Sequence, residues 1–327
     1  MTATIEPMPR LSSDSVSHTA ASGATYETVL ADLALADERI LVLTAENRAA
    51  IRGLPPRLGA RFLDTGITEQ TMVGMGAGLA LQGRIPVLHG LSAFLTMRAF
   101  EFIRTDVGIA RLPVKLVGGV AGILSEANGP THQAIEDVAL MRTIPHMQIF
   151  CPADTRELLG ALPALIAHPD PVYIRYIDRP PVVPYAPAFA IGRAHVLTRG
   201  HDLAILSYGA LVRESLEAAV LLESAGLSVL LVDMRTLAPI DESVMAMAAQ
   251  STRLLVTVED HVATGGLSTI VAERLVNSGI SVQLLPINLG HGWFTPGLLP
   301  DALRASRLSG EQIATRVLER LAHLPLD

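Results

Sequence analysis

The sequence is poorest in cysteine. Cys151 stands alone, which excludes an intrachain disulfide framework and a cysteine-rich metal site and fits a reducing cytoplasm. Aromatic residues make up only 4%, too few for a platform that stacks single-stranded nucleic acid. Positive charge is also short: 25 Lys and Arg against 32 Asp and Glu leave a net charge of −7. With no basic cluster, neither nucleic acid nor an anionic membrane is expected as a partner. No stretch reaches the roughly 18 uninterrupted apolar residues that a membrane span needs. Residues 1–22 lack the apolar core of a signal peptide, and their Ser, Thr and Pro content reads as a flexible tail. A soluble, cytoplasmic chain is expected.

What is abundant is aliphatic. Half of the residues are hydrophobic and 17% are charged, with Ala, Leu and Val dominating, as in parallel strands buried on both faces. At 327 residues the chain has room for about two domains of roughly 100–200 residues each. After the tail, short β-rich runs alternate with helical patterns. Strands are expected at 40–44, 61–64, 85–89, around VKLVGG, at MQIFCP and at 172–176. Helices are expected at 68–83, at 94–110, over THQAIEDVALMR, and over TRELLGALPALIAH, where Pro163 should break the helix. A proline-rich segment containing Pro180, Pro181, Pro184 and Pro187 marks a boundary, after which the alternation resumes and ends in a helix near 309–322. The fold class is therefore α/β, with two domains, each a mostly parallel sheet with helices on both faces. The boundaries are a tail at 1–22, a first domain at 23–185 and a second at 186–327.

Gly74, Gly76 and Gly78 imitate a dinucleotide fingerprint, but position 79 is Leu79 and no acidic residue follows at the required distance. Small residues at Gly74, Ala77 and Gly78 read better as a close-packing helix face. No P-loop, HExxH or GxSxG sequence occurs, and the ten histidines lack metal-ligand spacing, so no metal is expected on this chain. Three clusters remain: DTGITEQ, which carries Glu69 into a helix start; AFLTMRAFEFIR, with Phe94, Met97 and Phe100 at helical spacing; and EANGPTHQAIED, a Gly-Pro turn presenting His132. Singly, each reads as a helix cap, a core stripe and a polar loop residue. Jointly, each follows a strand of one parallel sheet, where loops at the strand carboxyl ends converge on ligands.

These clusters, with PVYIR and VTVEDHVATGGLSTIVAERL, resemble the C-terminal half of a transketolase in the correct order over about residues 23–327. The closest likeness is to the separate C-terminal subunit of transketolases split into two chains. The resemblance implies a pyrimidine-binding domain followed by a transketolase C-terminal domain, and thiamine diphosphate as cofactor. Glu69 takes the position of the family glutamate that holds the cofactor's aminopyrimidine. Phe94, Met97 and Phe100 would contact the pyrimidine ring. His132 matches the family histidine at the reacting carbon, and Asn128 and Arg175 match substrate-binding positions, Arg175 for an anionic end. The family's GDG motif for diphosphate and magnesium is absent. The resemblance thus implies an α₂β₂ assembly in which a separate N-terminal subunit binds the diphosphate and Mg²⁺ (or Ca²⁺), with a ketose donor and an aldehyde acceptor as substrates.

Val120 stands where sugar transketolases carry a histidine, and Ala127-Asn128 where they carry Glu-Asp, so substrate choice is expected to differ more than cofactor activation. Two other readings compete. One is the β subunit of a 2-oxo-acid dehydrogenase or another decarboxylating thiamine enzyme; the other is a non-catalytic scaffold. In the second domain, Glu259, Asp260 and His261 are expected to serve strand-end hydrogen bonding, and Trp293 and Phe294 an interface or core edge. His89 is left evenly balanced between site and core.

Overall fold

The computed structural model describes residues 23–183 and 188–324; the expected tail and the middle of the proline-rich segment lie outside them. Aliphatic runs form the strands because both sheet faces are covered. The first region runs α1 (Tyr26–Ala36), β1 (Ile40–Thr44), α2 (Leu54–Leu58), β2 (Phe62–Asp64), α3 (Glu69–Leu81) and β3 (Ile85–Leu91). A helical stretch over 94–108 follows, with α4 (Phe100–Phe102) at its middle, then β4 (Lys115–Gly119), α5 (Asp137–Met141), β5 (Gln148–Phe150), α6 (Thr155–Ala167) and β6 (Val172–Arg175). The second region contains β7 (His195–Thr198), β8 (Leu203–Ser207), α7 (Leu211–Ser224), β9 (Val229–Asp233), β10 (Thr236–Ala238) and α8 (Glu242–Ser251). It ends with β11 (Leu254–Val258), α9 (Leu267–Asn277), β12 (Gln283–Ile287), α10 (Leu299–Ala305) and α11 (Gly310–Ala322).

Two sheets result, ordered β10-β5-β6-β4-β3-β1-β2 and β12-β11-β8-β9-β7. Every pairing is parallel except β10 with β5 and β7 with β9. On one face of the larger sheet α3 buries Met72, Val73 and Ala77 in one cluster with Leu43 and Leu88. On the other, Leu30 of α1 and Leu162 of α6 join Val42, Val87 and Ile174. The first cluster continues through Ile149 and Tyr173 to Tyr208, Val232 and Leu237, so the two sheets share apolar core.

Several expectations are corrected. The helix expected over THQAIEDVALMR is reduced to α5, because Gly129-Pro130 turns the chain and residues 132–135 run extended enough to bridge Ala134 to Ala121. Pro163 does not break α6. It lies on the exposed side, where the carbonyl deprived of its N–H partner can be hydrated. Helices α1, α2 and α10 and strands β7 and β10 were not anticipated. The stretch over 94–108 is helical, but its ends are wide turns in which Ala99 N–H bonds the Phe94 carbonyl and Ile109 N–H the Arg104 carbonyl, five residues back. Close packing on α3 falls on Gly76, where an added Cβ would sit 2.9 Å from Leu88 Cδ1. Around Gly78 there is open space instead, and a Cβ at Gly74 would meet only Asp106 Oδ2 at 4.0 Å.

Candidate active site

Three of the expected site residues converge. Thr68 precedes α3, so Glu69 enters at the helix start directly after β2, and it is 2% exposed. Its Oε2 accepts a hydrogen bond from Arg98 Nη1 at 2.9 Å, while Oε1 has no hydrogen-bond partner among the described residues. The Arg98 guanidinium lies 4.3 Å from the centre of the Phe94 ring. His132 meets the same ring edge-on, with centroids 5.0 Å apart. Its Nδ1 lies 2.9 Å from Thr131 Oγ1, which leaves Nε2 without a partner among the described residues. Glu69, Arg98, Phe94 and His132 thus form one contiguous group on elements that follow β2, β3 and β4. Met97 and Phe100 lie half-buried on the same helical stretch, and Phe100 packs on the core under α3. Asn128 is exposed in the loop that leads to His132, with its N–H on the Ser125 carbonyl.

The sequence did not point to Arg98 as the partner of Glu69. The only available signal was its four-residue spacing from Phe94, which places both on one helix face.

Arg175 is not part of this group. It is 5% exposed and lies between two carboxylates: Nε donates to Asp137 Oδ2 at 2.9 Å and Nη1 to Asp260 Oδ1 at 2.7 Å. Burial alone would lower its pKa, but the two anions overcome that and hold it well above the ordinary guanidinium value. In this chain the guanidinium is sealed between two carboxylates and neutralised by them rather than joined to the Glu69–Phe94–His132 group. Glu259 accepts the N–H groups of Leu267 and Ser268, and His261 Nε2 accepts that of Ala139, so this strand end does serve internal hydrogen bonding. Phe294 is buried, whereas Trp293 is 62% exposed.

A cavity of about 270 Å³ opens along the carboxyl edge of the first sheet, beside the loop that carries His132. Its walls include Asn47, Tyr176 and Arg179, together with the carboxylates of Glu126 and Asp178. Val120, also in its lining, has φ +59°, a left-handed conformation that costs a β-branched residue about 1–3 kcal/mol. His89 forms part of the wall, but its Nε2 pairs with the Tyr26 hydroxyl at 2.8 Å; burial lowers its pKa to about 4, so the ring is neutral near pH 7. No group of three or more His, Cys, Asp or Glu side chains among the described residues is arranged to hold a metal ion. None of the described helices is long and apolar enough to cross a membrane.

A largely parallel α/β sheet thus gathers a buried carboxylate, an aromatic face and a histidine at its carboxyl edge, the edge at which such sheets bind ligands. Comparison with known proteins names the family. Residues 18–179 match the transketolase pyrimidine binding domain, and residues 192–317 the transketolase C-terminal domain. The chain is 38% identical to a 6-deoxy-6-sulfo-D-fructose transketolase subunit of Clostridium sp. (strain MSTE9), over 77% of this chain and 79% of that one. It is 34% identical to a putative transketolase C-terminal section of Methanocaldococcus jannaschii, over 90% of this chain and 95% of that one. A solved structure described as a split gene transketolase, inactive beta4 tetramer, superposes with a TM-score of 0.81 at 32% identity, covering 91% of this chain and 96% of that one. The chain belongs to the transketolase family and corresponds to its C-terminal section.

Proposed function

We propose that this chain is the C-terminal subunit of a two-chain, thiamine-diphosphate-dependent transketolase that moves a two-carbon ketol unit from a ketose donor to an aldehyde acceptor in the cytoplasm. The observation that carries this reading is the juxtaposition of Glu69, Phe94 and His132 at one sheet edge. The donor set fits the cofactor: Glu69 is buried, its Oε1 has no hydrogen-bond partner among the described residues, and Phe94 is half-buried with aromatic surface to offer. Thiamine diphosphate, when bound, supplies a nucleophilic carbon generated with its own aminopyrimidine as base.

The residues of this chain do the rest. Glu69 would hold the cofactor's pyrimidine ring by a hydrogen bond through Oε1, which would keep the ring's amino group placed to act as the base. Phe94, Met97 and Phe100 pack against that ring and exclude water from it. His132, anchored through Nδ1, presents Nε2 to a hydroxyl or carbonyl oxygen of the substrate, where it donates or accepts a proton. The cavity beside its loop takes the non-reacting part of the sugar, with Asn128 at the loop's outer end. Arg179 is the cation in that lining, and the carboxylates of Glu126 and Asp178 stand in the same wall.

The reading divides the chain into a pyrimidine-binding domain over 23–185 and a C-terminal domain over 186–327. It also requires a partner. A separate N-terminal subunit brings the diphosphate site and its Mg²⁺, in an α₂β₂ heterotetramer of carbohydrate metabolism. The inactive β-only tetramer among the relatives supports the view that this chain alone does not turn over substrate. An apolar surface is available for assembly: Met75 and Leu81 on α3, with Ile67 and Ile109 beside it, are exposed.

The test is reconstitution with the N-terminal subunit, thiamine diphosphate and Mg²⁺, offering ketose phosphates, free ketoses and 2-oxo acids and following products by mass spectrometry. Two-carbon transfer without carbon dioxide, lost in Glu69→Ala, is the expected result. Carbon dioxide release from a 2-oxo acid would replace the transketolase reading by a decarboxylating one, and no turnover of any donor would leave a scaffold.

A further inference from the structure

His132 has few anchors of its own, a hydroxyl on Nδ1 and the edge of Phe94. The loop that carries it, residues 121–136 between β4 and α5, is instead held from the second domain at successive points. Gly297 N–H donates to the Glu126 carbonyl at 2.9 Å, and Val262 N–H to the Ile135 carbonyl at 2.9 Å. Gln133, next to His132, is fully buried, and its Nε2 donates to the Phe294 carbonyl at 2.8 Å. Asp260 grips both ends of the loop: Oδ2 accepts Ile123 N–H at 3.0 Å, and Oδ1 accepts Arg175, whose other side holds Asp137. At Gly122, with φ +56°, an added Cβ would lie 1.9 Å from Asp260 Oδ2, so the backbone approaches the carboxylate as closely as glycine permits.

We infer that the second domain is a positioning clamp for His132, acting through Gln133 and Asp260, neither of which belongs to the Glu69–Phe94–His132 group. The inference rests on the role given to His132 above. The physical reason is the short range of proton transfer: a histidine displaced by about 1 Å loses on the order of 100-fold in rate, while the pyrimidine contacts on α3 and the helical stretch over 94–108 stay in place. A buried amide and a buried ion triad hold a loop more sharply than exposed hydrogen bonds, because every escape leaves a desolvated group unpaired.

The experiment uses the complex reconstituted with the N-terminal subunit. Gln133→Met removes the donor at nearly constant volume, and Asp260→Asn keeps an acceptor for Ile123 while removing the charge from Arg175. For each variant, kcat, calorimetric affinity for thiamine diphosphate and amide hydrogen exchange over residues 121–139 are compared with the native complex. The expected result is a roughly 10- to 100-fold fall in kcat, cofactor affinity within twofold, and faster exchange confined to the loop. Faster loop exchange with unchanged kcat overturns the inference, as does unchanged exchange, or loss of cofactor affinity in parallel with kcat. If Asp260→Asn does not fold, Gln133→Met decides. A native complex that turns over no donor sinks the transferase reading instead, and loop exchange then decides the clamp by itself.

Discussion

The two halves of the molecule are built alike and spend their polar groups differently. Around the seven-stranded sheet, the carboxyl ends border a 270 Å³ cavity and carry Glu69 Oε1 and His132 Nε2, which have no hydrogen-bond partner among the described residues. Around the five-stranded sheet, the strand end formed by Glu259, Asp260 and His261 turns its side chains inward, onto Leu267 and Ser268, Arg175 and Ile123, and Ala139. At this strand end the second half uses its polar groups on contacts that reach into the first. Two copies of one fold class thus present their edges differently, which is why function has to be argued from the site rather than the fold.

The comparison is broken most severely at Glu69. Glu69→Ala should leave the fold intact and cut kcat of the reconstituted enzyme at least about 1,000-fold, since loss of a positioned acid–base group is worth 10²–10⁴; steady-state kinetics beside a thermal melt would check it. His132→Asn should cost about 100-fold or more in kcat, with cofactor affinity unchanged by calorimetry. Removing support rather than chemistry gives a different signature. Arg175→Met strands Asp137 and Asp260, which are 0% and 1% exposed, and should destabilise the chain by about 3–5 kcal/mol in a denaturant titration. A melting curve indistinguishable from native would mean that the triad holds nothing.

A smaller effect sharpens the comparison at the junction of the halves. Burial pushes Glu157 of α6 up to about 7, and Arg235, 3.6 Å away, offsets only part of that. Burial also raises Asp233 of β9, with the Glu157 charge beside it adding to the shift. Both carboxyls hold protons in the folded chain that ordinary carboxylates lose near pH 4. The contribution of Glu157 is thus complete below that pH and is lost as pH rises through about 7. Melting temperature should fall with rising pH over this window, and Glu157→Gln should flatten the slope. A slope unchanged in that variant would rule out the pair as its source. Least of all should follow from Trp293→Ser, within about 0.5 kcal/mol, because the ring is 62% exposed.

Much of the first half was legible in the residues. The strands expected at 40–44, 61–64, 85–89 and around VKLVGG lie within two residues of those observed, because a parallel strand buried on both faces is an unbroken aliphatic run. DTGITEQ and GPTHQ stood out as polar, turn-forming breaks that place Glu69 and His132 after such runs. The short strands β7 and β10 did not, because three or four residues carry too little periodicity, and their partners lie elsewhere in the chain. The partners of Arg175 were hidden for a related reason. A cation at a strand end looks free in sequence, and only the arrival of Asp137 and Asp260 from distant segments neutralises it.

Local pattern, then, determined what needs only local pattern: the alternation of strand and helix, and the residue types delivered at the sheet's edge. Tertiary structure decided which polar groups are spent and which are left. It joined β10 to the other half's sheet, gave Glu69 an arginine partner, closed Tyr26 onto His89, and laid the second domain against the His132 loop. Those outcomes depend on distances between segments far apart in the chain, and burial gives them their strength once water is excluded.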